Sequence, residues 1–112
     1  MEKDPKIFLT HIAQSIELVL GYVSDVSEES FGGDLQLQDA VVRRLEIIGE
    51  AVRNMPESYR ARHPEVPWRD IVDFRNVLIH EYFIVDTDVV WTIVHTELPQ
   101  LAVQIQALLA ED

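Results

Sequence analysis

With 112 residues, 47% of them hydrophobic and 26% charged, the chain has the size and composition of one globular domain and not of a disordered segment. It contains no cysteine, which excludes disulfides and thiolate metal sites and fits a reducing compartment. The net charge of −11 argues against indiscriminate binding to polyanions, yet all seven arginines fall between positions 43 and 75, where six acids leave that stretch slightly basic.

Met1-Glu2-Lys3-Asp4-Pro5 puts charges where a signal peptide would carry an apolar run, and no apolar stretch approaches a membrane span. The expectation is a soluble, cytoplasmic protein with no membrane partner. Asp4-Pro5 opens a first helix, a capping acid followed by proline at the first helical position. Phe8, Ile12, Ile16, Val19, Val23 and Val26 then recur every three or four residues as one apolar stripe. Residues 27–33 read as a polar, glycine-bearing break. Asp34 caps a second helix, with Leu37, Val41, Leu45, Ile48, Val52 and Met55 on its apolar face. Pro56, Pro64 and Pro67 leave room for at most a short helical turn over 54–67.

Trp68 starts a further helix to about Tyr82, carrying Ile71, Phe74 and Leu78 at helical spacing. After a break over 83–85, Asp86 caps the last helix, whose stripe is Val90, Ile93, Val94, Leu98, Leu101, Ile105 and Leu108. Pro99 lies inside it and is expected to kink or locally break it. Four substantial amphipathic helices with short connections predict an all-α fold, an antiparallel bundle of four to five helices in a single domain over 1–112. Phe31, Tyr82, Phe83 and Trp91 are expected to remain exposed, a surface that a helical homodimer would cover.

Several chemistries are absent from the pattern. Gly21, Gly32, Gly33 and Gly49 match neither phosphate-cradling fingerprint. The residues three before His11, His63, His80 and His95 are Phe8, Arg60, Val77 and Thr92, so the Glu-x-x-His pairs of a di-iron bundle are missing. His80-Glu81 begins like a zinc-protease motif, but the second histidine position is Ile84. Glu46 and Glu50 lie one turn apart, with Arg43 and Arg53 at matching spacing, which favours ion pairing on a solvated face over a metal site. His11, His63 and His95 have no matching partners and read as surface or interface residues, and Trp68 and Trp91 as packing residues.

What remains is the segment from Arg75 to Tyr82. At about 100° per residue, Arg75 and Tyr82 share one stripe and Asn76 and His80 the adjacent one. They sit near a helix C-terminus, where the dipole favours cations. Arginine and histidine also serve as ordinary capping residues there, and a following tyrosine as a core edge. The residue pattern alone leaves both readings open.

Asp73-Phe74-Arg75-Asn76-Val77-Leu78-Ile79-His80-Glu81-Tyr82-Phe83 resembles the R-x4-H-x-Y motif of the HepT-like branch of the HEPN superfamily, toxins of the HepT/MntA kind. Pro67-Trp68-Arg69-Asp70-Ile71, Val85-Asp86 and Leu45-Glu46-Ile47-Ile48-Gly49-Glu50-Ala51 resemble its surroundings, so the likeness covers nearly the whole chain. The resemblance implies a metal-independent endoribonuclease without cofactor, working as a homodimer. It implies Arg75 and His80 as catalytic residues, Asn76 as their polar support, and Tyr82 as the residue to which a cognate minimal nucleotidyltransferase, the antitoxin, attaches AMP.

Such chemistry is physically coherent with these side chains. When a ribose 2′-hydroxyl attacks the adjacent phosphorus, a base takes its proton, an acid protonates the leaving oxygen, and a cation meets the phosphorane charge. An imidazole, with a reference pKa of about 6.5, can serve in either proton transfer, and a guanidinium stays charged. One chain offers one motif histidine for two proton-transfer roles, so a two-fold dimer is expected to complete the site. Arg60, Arg62 and Arg69 either extend an RNA track or belong to a solvated loop. Two other classes stand beside the nuclease: a non-catalytic HEPN partner that binds a minimal nucleotidyltransferase, and a plain helical interaction module.

Overall fold

The computed structural model describes residues 3–81 and 85–111. Among them are six helices and no strand: α1 (Pro5–Tyr22), α2 (Glu28–Gly32), α3 (Leu35–Asn54), α4 (Glu57–Arg62), α5 (Trp68–His80) and α6 (Thr87–Leu109). The all-α bundle is as expected. Of its described helices, none is long and apolar enough to cross a membrane.

The caps fall where short polar side chains precede apolar periodicity. Asp4, Asp34 and Asp86 each accept a hydrogen bond from a backbone N–H of the first turn, at 3.0, 3.0 and 2.8 Å. α1 buries Phe8, Leu9, Ile12, Ile16 and Val19, and α3 answers with Val41, Leu45, Ile48, Ala51 and Val52. α3 lies centrally, against α1 on one side and α5 on the other, and α6 packs on α1.

Four expectations need correction. The span 27–33 is not merely a break. Ser27 Oγ accepts from Ser30 N–H at 3.0 Å and caps α2, which turns Phe31 into the core at 1% exposure. The chain reaches that point because Asp25 adopts φ 62°, the left-handed region that a short polar residue tolerates, so α1 stops at Tyr22 and Val23 and Val26 pack from the turn. Gln38 Nε2 then donates to the Phe31 and Gly32 carbonyls, at 2.8 and 3.1 Å, and ties α2 to α3.

Phe31 is thus no exposed aromatic, and Trp91 is half-buried, its ring 5.4 Å from Phe31 and 3.9 Å from His95. The other two aromatics of that group, Tyr82 and Phe83, lie outside the described residues, as does the start of the expected break over 83–85. Finally, α6 runs unbroken through Pro99. Proline removes one donor and frees the His95 carbonyl, but both residues are exposed, so water can take that place. α5 ends at His80, two residues before the expected boundary.

Candidate active site

α5 brings the motif to the bundle surface. Leu78 is buried and Ile71, Val72 and Phe74 are half-buried against the core. The stem of Arg75 meets α3 at Gly49. A Cβ on Gly49 would stand 2.2 Å from Arg75 Cβ, 2.6 Å from Cγ and 3.4 Å from the Ile71 carbonyl. Glycine in a helix interior costs roughly 1 kcal/mol relative to alanine, and here it admits the arginine stem.

The guanidinium is gripped from two sides. Arg75 Nη1 donates to Asn76 Oδ1 at 2.8 Å, and Nη2 pairs with Glu50 Oε2 at 2.6 Å. Asn54 Nδ2 donates to Glu50 Oε1 at 3.1 Å and orients the carboxylate. Arg75 Nε is buried with no hydrogen-bond partner among the described residues. The arginine side chain is 14% exposed and Glu50 is 49% exposed, so the pair closes over the guanidinium from the solvent side.

These groups border a cleft of about 340 Å³ between α1, α3 and α5, lined on its polar side by His11, Arg43, Glu46, Glu50, Asn54 and Arg75. Arg43 and Glu46 pair at 3.6 Å. Glu46 and Glu50 are thus each engaged by an arginine, but Glu50 takes Arg75 from α5 where the sequence suggested Arg53. Among the described residues, no group of three or more histidine, cysteine or acidic side chains is placed to hold a metal ion.

His80 closes α5 on its exposed surface and does not line this cleft. Five residues at 100° each set it roughly 140° around the helix from Arg75. Within the chain the fold therefore brings Arg75 and Asn76 together and leaves His80 facing outward, while Tyr82 lies outside the described residues.

The three arginines expected as RNA contacts are elsewhere. Arg62 lies over the Tyr59 ring at 5.7 Å, Arg69 pairs with Asp73 at 3.9 Å, and Arg60 and Arg69 border a separate depression beside Trp68. Burial, reinforced by Glu111 and Glu65 and opposed by Arg62, holds the Tyr59 phenol protonated above its usual range.

Sequence reasoning missed Glu50 as the partner of Arg75, Gly49 as the point of close approach, and His11 as a wall of the same cleft. A signal existed only for Gly49, since a glycine amid Ile47-Ile48-Gly49-Glu50-Ala51 in a helix interior points to tight packing.

A family model described as "Ribonuclease HepT-like" matches residues 12–108. Among curated proteins, the chain is 42% identical over 111 residues to "Gamma-glutamylcyclotransferase and putative RNase" of Methanocaldococcus jannaschii, covering 99% of this chain and 50% of that protein. It is 42% identical to "Putative RNase" of Caldanaerobacter subterraneus subsp. tengcongensis, over 98% of both chains. It is 43% identical to "Probable ribonuclease HepT" of Thermococcus cleftensis, over 90% of this chain and 92% of the other. The chain thus spans about half the length of the first of these relatives and nearly all of the other two. No solved structure gives a significant match.

Proposed function

The chain belongs to the ribonuclease HepT-like family, and on that premise we propose that it is the toxin of a toxin–antitoxin pair, a metal-independent endoribonuclease that acts as a homodimer. The observation that carries this reading is a guanidinium fixed at an open cleft by Asn76 and Glu50, with an exposed imidazole, His80, ending the same helix. Arg75 meets the charge that develops on phosphorus. His80 moves a proton to or from the ribose oxygens. Because the two point apart within one protomer, a composite site formed by facing α5 helices brings the Arg75 of one protomer toward the His80 of its partner. Asn76 keeps the guanidinium oriented.

In this reading the 2′-oxygen forms a bond to phosphorus as its proton leaves to a base. The bond to the 5′-oxygen breaks as that oxygen gains a proton, leaving a cyclic phosphate and a free 5′-hydroxyl. Positioned general acid–base groups typically contribute 10²–10⁴-fold to such a step. A cognate minimal nucleotidyltransferase silences the enzyme by attaching AMP to Tyr82, two residues beyond His80, where a phosphodiester and a base would obstruct the RNA path.

A second reading has its own support. The Glu50–Arg75 pair is also a sound helix-to-helix tie, and a net charge of −11 disfavours polyanions, as in a non-catalytic partner of a nucleotidyltransferase. Incubating the purified protein with RNA in EDTA separates the two. Cleavage is expected for the wild type, with a loss of at least about 10²-fold for Arg75→Ala and for His80→Ala. Undiminished cleavage by the folded variants defeats the nuclease reading.

A further inference from the structure

Every polar side chain lining the Arg75 cleft has a partner except one. Arg43 holds Glu46, and Glu50 holds Arg75 and Asn54. His11, exposed on α1, faces the same space with no hydrogen bond or ion pair among the described residues. The Arg43–Glu46 contact is long at 3.6 Å, and the Arg43 side chain is 70% exposed. A pair of that kind holds its partners weakly, at about 0–1 kcal/mol, so Arg43 can exchange a carboxylate for a phosphate at little cost.

The cleft therefore presents two exchangeable donors, an imidazole and a guanidinium, beside the arginine assigned to the reacting phosphate. We propose that His11 and Arg43 form a subsite for the RNA backbone, holding a phosphodiester next to the one that Arg75 engages. The subsite lies across α1 and α3, on the same protomer as Arg75, in a cleft whose apolar wall reaches Ile79 near the end of α5. The assignment rests on the ribonuclease reading of Arg75.

The test uses the full-length protein and a fluorescent single-stranded oligonucleotide that is 2′-O-methylated throughout, which lacks the attacking hydroxyl and cannot be cleaved. Binding is followed by anisotropy over a range of KCl concentrations. His11→Ala and Arg43→Ala are each expected to weaken binding about three- to tenfold, as for loss of one hydrogen bond. Arg43→Ala should also flatten the plot of log K against log salt by about 0.7, the value for one phosphate contact on a single strand. Arg43→Lys should restore the slope, and His95→Ala, on the stacked pair with Trp91, should match the wild type.

With cleavable RNA, His11→Ala and Arg43→Ala raise KM and leave kcat nearly unchanged. Affinity and slope equal to the wild type in both variants overturn the proposal, and His11→Gln replaces His11→Ala if the latter melts early. The outcomes separate the two levels of inference. Loss of cleavage in Arg75→Ala with normal binding by both subsite variants refutes the subsite and spares the nuclease. Weakened binding by the subsite variants with cleavage intact in Arg75→Ala and His80→Ala refutes the nuclease reading of those residues and, with it, the placement of the subsite beside a reacting phosphate, leaving backbone binding alone.

Discussion

Arg75 is immobilised by three neighbours of different kinds: a carboxylate from α3, an amide from the next residue, and the empty side of a glycine. The glycine is the least replaceable of the three. A methyl group at Gly49 must push back the arginine stem and with it the α5 backbone, since Cβ and Cγ are not the far end of a flexible side chain. Overpacking of this sort costs about 1–3 kcal/mol, offset by roughly 1 kcal/mol of gained helix propensity. Given the catalytic role proposed for Arg75, Gly49→Ala should therefore keep most of its stability and lose most of its activity, because displacing a catalytic group by about 1 Å can cost 10²-fold. Thermal melting and single-turnover cleavage, measured together, check this; a folded Gly49→Ala protein cleaving at the wild-type rate would show that the contact does not position Arg75. The motif spacing of Arg75, Asn76 and His80 was legible along the chain. Their surroundings were not, because Glu50 and His11 come to the Arg75 cleft from other helices, and the sequence contains no periodicity linking one helix's face to another's.

At the level of helices, the sequence was most informative where a cap and a stripe agreed. Asp34 and the α3 stripe, and Asp86 and the α6 stripe, gave starts that the structure keeps. It was least informative where a helix is too short to show a period. α2 has only five residues, and its one apolar side chain, Phe31, gives no repeat to detect. Yet that side chain is almost fully enclosed and meets Trp91 of α6. Phe31→Ala is expected to cost about 3–5 kcal/mol, as for a buried aromatic elsewhere. Ser27→Ala, which removes only the cap, should cost about 1 kcal/mol. Denaturant titration of the two variants ranks them; a Phe31 variant no weaker than the cap variant would mean that α2 docks only loosely. Pro99 makes no break in α6, since the penalty for proline depends on whether the orphaned carbonyl can reach water, which sequence does not reveal.

For the molecule as a whole, the proposed dimer must form against its own field. Each protomer carries −11, and apolar side chains such as Ile79 and Val89 are exposed near the ends of α5 and α6. Salt screens repulsion between exposed charges over about 10 Å at 0.1 M and less at higher concentrations, and leaves apolar contact intact. Raising KCl is thus expected to tighten self-association while weakening RNA binding, and sedimentation velocity beside anisotropy would show opposite trends. Self-association that loosens as salt rises would place ion pairs, not apolar contact, at the interface.

On the proposed ribonuclease reading, the Glu50 carboxylate that pairs with Arg75 would hold the place of the substrate phosphate in the resting protein. A tethered group competes at an effective concentration on the order of millimolar or higher, so stray monovalent anions and free mononucleotides gain little hold on Arg75. A polymer that engages several sites at once can evict the placeholder where a single anion cannot. The intramolecular contact would then act as a filter for chain length, admitting long RNA and turning away its fragments.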